Sequence, residues 1–558
     1  MSENVTGGEL VIRTLEALGA ERVVGLPGQH ALPMFDALGD SSLDYLGARV
    51  ENNAAFMADG HARVTGTVTP LLLSAGPGAL TALPGLQEAA TASSPVLLIS
   101  AQVPTPGIGG QAHGYLHELR DQESHFRGIA KGTWSIRSVD QIVPTLVEAW
   151  RTAQSAPAGP VYVEVPHDVQ QASVELADGQ LGGLAAEAYA LAPEATGAQL
   201  DAVARLLAES STPRIYAGGG VVRSGAGELL EQLAEQLQAP VVTTYGGRSA
   251  FPWAHPLSAE GWIEDIATTE FLEAADVLLV VGTGLSELSS NYFRLAPTGT
   301  VIHIDADARV LGANHEGTIT LRSDAGLALQ GVLDRLRASE LGERADARPA
   351  IDELLATVRG RLDAQPLATE RELMATLRSS IPDEVATFWD MTISAYWAWS
   401  AWDARGGVYE NGQCGGLGFG LPAAIGASFA SRSRETPNGA PVVAISGDGG
   451  GLYGVAELST LAQSQLSVTW LVVDDGGYGV LRGYMNEAYG RATATELTGP
   501  DYLAVARAFG IESRAVELDT LADELAASIR TPGPRVLVLP ATLELFEATH
   551  THRPAVHR

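Results

Sequence analysis

A single cysteine, Cys414, stands in 558 residues, which excludes an intrachain disulfide. Basic residues are also scarce: 35 lysines and arginines face 66 acidic residues, a formal net charge of −31. A surface of that sign repels phosphate backbones and anionic lipid, so neither nucleic acid nor a membrane is expected as a partner. Long apolar runs are missing as well. The longest, PVLLIS at 95–100 and DVLLVVG at 276–282, have the length of strands and are too short to cross a bilayer. The opening MSENVTGGEL has no basic n-region and no apolar h-region, so the expectation is a cytoplasmic protein.

What is present is a globular composition, 46% hydrophobic and 18% charged, over a length that suggests about three domains. Helix-like and strand-like patterns alternate through the chain. RVVGLPG, TPLLLSAGPG, PVLLISAQV and PVYVEVP mark a first set, and PRIYAGGG, APVVTTYG, DVLLVVGTG and TVIHIDAD a second. A third set runs to about Leu545. The pattern predicts an α/β protein of three doubly wound domains with largely parallel sheets, spanning 1–175, 192–340 and 366–548. The Ala/Gly/Glu-rich stretch from Gln171 to Gly197 reads as a linker without strands.

The most informative stretch is Pro441 to Leu481. An apolar strand breaks into Gly447, Gly449, Gly450 and Gly451, a helical pattern follows, and a second apolar strand ends in Asp474 and Asp475: a βαβ unit. Glycines let a backbone approach an anion closely, and helix-opening amides favour phosphate. Asp448 would repel phosphate unless a cation lay between them, and Asp475 follows at 475 − 448 = 27 residues. Adjacent parallel strands would bring both carboxylates to one edge, and two carboxylates with phosphate oxygens make a Mg²⁺ site. The same letters also spell G-x-G-x-x-G at Gly449, Gly451 and Gly454, which fits a dinucleotide turn and an NAD-dependent oxidoreductase.

Gly447-Asp448-Gly449 with Asp474-Asp475 resembles the diphosphate motif of the thiamin-diphosphate (ThDP) enzymes, although two asparagines usually close that motif. The resemblance extends to VENNAAFMADGHARVTG around Glu51, to Gly25-Leu26-Pro27-Gly28, to Gly76-Pro77-Gly78 and to NGQCGGLGFGLPAAIGA. It implies a pyrimidine-binding first domain, a central domain and a diphosphate-binding third domain, with ThDP and Mg²⁺ as cofactors. By that match Asp448, Asp475 and the Gly477 carbonyl hold the metal. Glu51 acts on the pyrimidine ring, the Gly415 carbonyl accepts from its amino group, and Leu417 wedges between the rings. Pro27, Gly28, Gly76, Thr81, Gly447, Gly449, Gly450 and Tyr478 are further expected cofactor contacts.

The implied reaction is decarboxylation of a small 2-oxo acid, leaving an enamine that either releases an aldehyde or is ligated to a second carbonyl. His30, His117 and Glu118 are the candidates for catalysis above the cofactor, an imidazole being suited to proton transfer near neutral pH. GLPGQHALP, LHELRDQ and DMTISAY resemble the acetolactate-synthase-like branch, which includes guanidino-2-oxo acid decarboxylases. Leu73 stands where aryl 2-oxo acid decarboxylases have a histidine. Relatives form one site from two subunits, so a homodimer is the least assembly implied and a homotetramer the common one. The glycine clusters Gly218-Gly219-Gly220 and Gly282-Gly284 read as strand-to-helix turns, and no FAD is expected there. The departure at Asp474-Asp475 also leaves open a catalytically silent ThDP-binding homologue.

Overall fold

The computed structural model describes residues 2–315, 318–339 and 341–547; residue 548, the last of the third expected segment, lies outside them. The first domain contains β1 (Ser2–Thr6), β2 (Arg22–Gly25), β3 (Asp44–Gly47), β4 (Thr69–Leu73), β5 (Val96–Gln102), β6 (Thr133–Ser135), β7 (Val161–Pro166) and β8 (Ser173–Ala177). Six of these form a parallel sheet in the order β3-β2-β4-β5-β7-β6. Every residue of β4 and β5 is buried, as expected of strands covered by helices on both faces.

The central sheet is β10-β9-β11-β12-β13, from β9 (Arg214–Ala217), β10 (Val241–Thr243), β11 (Val277–Val281), β12 (Thr300–Asp305) and β13 (Ile319–Arg322). The third sheet is β15-β14-β16-β17-β19-β18. Its strands are β14 (Ala386–Trp389), β15 (Tyr409–Asn411), β16 (Val442–Gly447), β17 (Val468–Asp474), β18 (Glu512–Ala515) and β19 (Arg535–Pro540). All pairs in these two sheets are parallel too.

Each sheet begins in its interior, steps one way and then returns to the other side. The resulting switch points fall between β2 and β4, between β9 and β11, and between β14 and β16. Crevices at the carboxyl ends of such strands are where open α/β sheets bind ligands.

One expectation is corrected. The stretch after Gln171 is not free of strands, because β8 pairs antiparallel with β1, Ser2 opposite Ala177 and Thr6 opposite Ser173. Its burial alternates between exposed and half-buried residues, a pattern too weak in apolar content to reveal a two-stranded ribbon.

The first and third domains share a core. The helix Glu51–Thr65 lies across the helix Gly420–Ala430 so closely that a methyl group on Gly60 would strike the Ala423 carbonyl, and one on Gly426 the Met57 carbonyl. Beside this contact Arg63, 3% exposed, forks between the wholly buried carboxylates of Asp59 (2.7 Å) and Glu88 (2.8 Å) and also reaches Glu410 (3.1 Å). Trp397 and Trp399 in the helix Ile393–Ala401, and Trp402 at its C-cap, are all buried. Among the described residues no helix is long and apolar enough to cross a membrane.

Candidate active site

Register decides where the acidic residues of the third domain emerge. Gly447 on β16 pairs with Val473 on β17, so Asp448 and the pair Asp474-Asp475 leave the sheet together at its carboxyl edge. Asp448 is 1% exposed, and both of its carboxylate oxygens are buried without a hydrogen-bond partner. Burial, together with the neighbouring carboxylate of Asp475 and the charge of Asp474, pushes its pKa up to about 6. Two carboxylates this close repel each other, and a cation between them would relieve that repulsion.

Among the described residues no three His, Cys, Asp or Glu side chains converge on a metal position, so backbone and ligand oxygens would have to complete the shell. Gly477 sits in an antiparallel bridge with Glu496, while the Tyr478 amide donates to the Thr495 carbonyl at 2.8 Å. Arg482 lies 3.4 Å from Asp475 and 3.3 Å from Glu496, and so offsets the charge added where the family motif carries asparagines.

Facing this edge across the switch point, Asp390 follows β14. Its carboxylate accepts from the amides of Gly418 (2.9 Å) and Met391 (2.8 Å), and burial raises its pKa to about 6 against those donors. Asp390 thereby fixes the far end of the loop carrying Gly415 and Leu417. The near end is held from the first domain: Glu88 accepts from the amides of Gln413 (2.6 Å) and Cys414 (3.0 Å). Gly415 has φ 85°, a conformation that glycine adopts without penalty and that leaves its carbonyl off the helix ladder.

The first domain brings its candidates to the β2/β4 switch point. Glu51 opens its helix, and Glu457 holds the turn before it by accepting from the amides of Arg49 (3.2 Å) and Val50 (3.1 Å) and from the Asn53 side chain (3.1 Å). A Cβ on Gly78 would lie 3.4 Å from Glu51 Oε1 and 3.2 Å from Ser74 Cβ; one on Gly76 would lie 2.8 Å from His117 Cβ. His117 is 5.2 Å, ring to ring, from His30 and is itself held at φ 68°, a strained backbone for a side-chain-bearing residue. Burial first, and then the charges of His117 and His167, lower the pKa of His30. His30 Nδ1, His117 Nδ1 and Ser74 Oγ are buried without partners.

Glu51, Gly28, Gly76, His30 and His117 are thus gathered at one edge, and Asp448, Gly449, Gly450, Asp475, Gly477, Tyr478, Gly415 and Leu417 at another. No hydrogen bond joins the two groups among the described residues. Pro27 is exposed beside Gly28. Thr81 donates its hydroxyl to the Pro77 carbonyl (2.7 Å), and Glu118 accepts from the amides of Gly114 (2.6 Å) and Tyr115 (2.9 Å), so both work within their own turns.

Sequence reasoning missed three participants. His167, directly after β7, stacks edge-on with His30 at 5.9 Å and reaches the His30 carbonyl at 3.1 Å. Gln122, 1% exposed, accepts from the Gly76 amide at 2.6 Å. Asp390 anchors the Leu417 loop. None sits in a glycine motif; only topology brings them in, although Asp390 at the end of an apolar run could have been suspected.

Three family models match in order: the N-terminal binding domain of the thiamine pyrophosphate enzymes over residues 5–125, their central domain over 200–332 and their C-terminal binding domain over 390–539. The chain therefore belongs to the thiamine pyrophosphate enzyme family. It is 31% identical to the probable acetolactate synthase large subunit of Methanocaldococcus jannaschii over 95% of this chain and 91% of that one. With the probable 2-ketoarginine decarboxylase AruI of Pseudomonas aeruginosa it shares 29% identity over 96% of this chain and 94% of that one. Among solved structures, the thiamine diphosphate-dependent 4-hydroxybenzoylformate decarboxylase of Rhodococcus jostii RHA1 superposes with a TM-score of 0.82 at 26% identity, covering 97% of this chain and all of that one. The enzyme is thus of the acetolactate synthase and decarboxylase kind. The C-terminal model spans Gly449, Gly451 and Gly454, so the dinucleotide reading of those glycines gives way.

Proposed function

We propose that the enzyme is a Mg²⁺-dependent ThDP decarboxylase that releases CO₂ and an aldehyde from a 2-oxo acid. The observation that carries this reading is the orphaned Asp448 carboxylate beside Asp475, at the switch point of the third sheet. Asp448, Asp475 and the Gly477 carbonyl would hold the metal and through it the diphosphate. The Gly415 carbonyl, Leu417 and Glu51 would hold the rings. Bound there, ThDP supplies a nucleophilic carbon and an electron sink for breaking the bond beside a ketone.

The chain's own groups do the rest. Glu51 holds and returns a proton at the pyrimidine ring. His30 and His117, backed by His167, provide proton donors at the same edge, and a ready donor favours aldehyde release over ligation to a second carbonyl. Leu73 and Ala75, on either side of Ser74 at this edge, are fully buried. By the resemblance to enzymes that form one site from two subunits, we assign the working unit to a homodimer at least, each site taking the first domain of one protomer and the third of its partner.

A panel of 2-oxo acids tests this reading by CO₂ release and product identification in the presence of ThDP and Mg²⁺. An aldehyde is expected. A 2-hydroxy ketone or acetohydroxy acid would move the enzyme to carboligation, and no CO₂ from any member would make it a silent homologue.

A further inference from the structure

Charge at the third domain's edge is lopsided. Asp448, Asp474 and Asp475 emerge there together, and Glu496 is bridged to Gly477 beside them. Among the described residues both ion pairs at this edge are made by one side chain, that of Arg482, 24% exposed on the helix Gly479–Tyr489. A diphosphate carries more negative charge than one Mg²⁺ neutralises, so an acidic edge that holds the metal also repels what the metal is there to bind.

Arg482 stands behind the two expected ligands of the loop after β17. Its Nη2 lies 3.4 Å from Asp475 Oδ2 and donates to the Asp475 carbonyl at 3.2 Å, and a Cβ on Gly477 would lie 3.0 Å from the same nitrogen. Its Nε lies 3.3 Å from Glu496 Oε1. Glu496 belongs to the segment that holds this loop from the other side, where the Tyr478 amide donates to the Thr495 carbonyl and the Leu497 amide to the Gly476 carbonyl at 2.9 Å. The Arg482 amide donates in turn to the Tyr478 carbonyl at 2.9 Å, so backbone and side chain both tie this residue to the loop.

The two oxygens of Asp475 have unlike surroundings. Oδ2 faces Arg482 and packs against the opening of the helix so closely that a Cβ on Gly479 would strike it, and helix N-termini favour negative charge. No donor among the described residues reaches Oδ1. An asparagine offers a metal one oxygen and turns an uncharged NH₂ away from it. Asp475 paired with Arg482 presents the same layout: one oxygen free, the other engaged by N–H, and no net charge from the pair.

We propose that Arg482 is a positioning residue that makes Asp475 serve as an asparagine would. It holds Oδ2, leaves Oδ1 to the metal and cancels the added negative charge, so that the diphosphate is not turned away. This role rests on the Mg²⁺ and diphosphate site proposed above, of which Arg482 is not itself a ligand. Removing its charge acts with opposite signs on the two partners of that site. The bare acidic pair attracts a free divalent cation more strongly, whereas the metal-bound diphosphate meets one more uncompensated negative charge. A residue that merely kept the loop in shape would, when replaced, weaken both.

The test measures two affinities in four proteins: wild type, Arg482→Gln, Asp475→Asn and the double variant. Mn²⁺ binding without ThDP is read by EPR of the free ion, and ThDP binding at saturating Mg²⁺ by isothermal titration. No residue of the helix Gly479–Tyr489 is buried, so these substitutions spare the core. Arg482→Gln is expected to bind Mn²⁺ about threefold more tightly and ThDP about tenfold more weakly. Asp475→Asn alone should bind Mn²⁺ more weakly and keep ThDP. The double variant has the net charge of the wild type, so both of its affinities should return to within about threefold of the wild-type values, the non-additivity that a direct pair produces. Weakening of both ligands in Arg482→Gln, no change in either, or a double variant that binds ThDP no better than Arg482→Gln would overturn the role of Arg482 while leaving the metal site intact. Absence of Mg²⁺-dependent ThDP binding in the wild type would instead overturn the site itself, and the role of Arg482 with it.

Discussion

Replacing Arg63 by alanine probes how the two halves of the chain are held together. Its guanidinium is 3% exposed and satisfies two carboxylates with no exposure at all, Asp59 and Glu88, besides Glu410 on β15. Burial already raises the pKa of Asp59, which Arg63 counters, and Glu88 otherwise accepts from the Gln413 and Cys414 amides. Removing the cation leaves uncompensated buried charge, which costs about 3–5 kcal/mol. For a domain of this size each kcal/mol shifts the midpoint by about 2–4 °C, so the first thermal transition should fall by roughly 6–20 °C. Differential scanning calorimetry reads this directly. Because Glu88 also anchors the loop of Gly415 and Leu417, ThDP affinity should drop in the same variant. Arg63→Lys should recover only part of both losses, since a compact ammonium lacks the planar fork with which the guanidinium reaches three carboxylates. A variant melting within about 1 °C of the wild type and binding ThDP normally would refute the network's role.

Three further outcomes are expected. Glu51→Gln should keep bound ThDP but lose about 10² to 10⁴-fold in the exchange rate of the thiazolium C2 proton, followed by NMR in D₂O, because an amide cannot cycle a proton. His30→Ala should leave ThDP affinity within a few-fold and lower kcat by about 10² or more; lost affinity with unchanged kcat would make His30 a structural part of the Gly28 turn. Glu264, with its pKa raised to about 7, binds a proton more tightly folded than unfolded. Its contribution to stability is therefore complete below about pH 4.5 and is lost as pH rises through 7, on the order of 3 kcal/mol, visible as the difference between wild-type and Glu264→Gln urea denaturation curves across that range.

Glycine clusters carried most of what could be read beforehand. Gly25 to Gly28 with Gly76 to Gly78, Gly218 to Gly220 with Gly282 to Gly284, and Gly447 to Gly451 all lie at switch points of the three sheets, where chain reversal and close approach require them. Apolar strands such as Val96–Gln102 announced parallel sheets because both of their faces are covered. The β1–β8 ribbon stayed hidden, since neither strand has an apolar face to signal it. His167, Gln122 and Asp390 were hidden for another reason: their roles come from tertiary folding, even though Gln122 closes LHELRDQ and Asp390 opens DMTISAY, two stretches that stood out for their likeness and not for these residues.

The account turns on Asp448 and Asp475 holding a divalent cation that in turn holds a diphosphate. Isothermal titration with ThDP, with and without Mg²⁺, tests this most directly in three proteins: wild type, Asp448→Ala and Asp475→Asn. The expected result is binding by the wild type only with Mg²⁺, none by Asp448→Ala, and retained binding by Asp475→Asn, whose amide oxygen still coordinates. Mg²⁺-independent ThDP binding, or normal binding by Asp448→Ala, would contradict it.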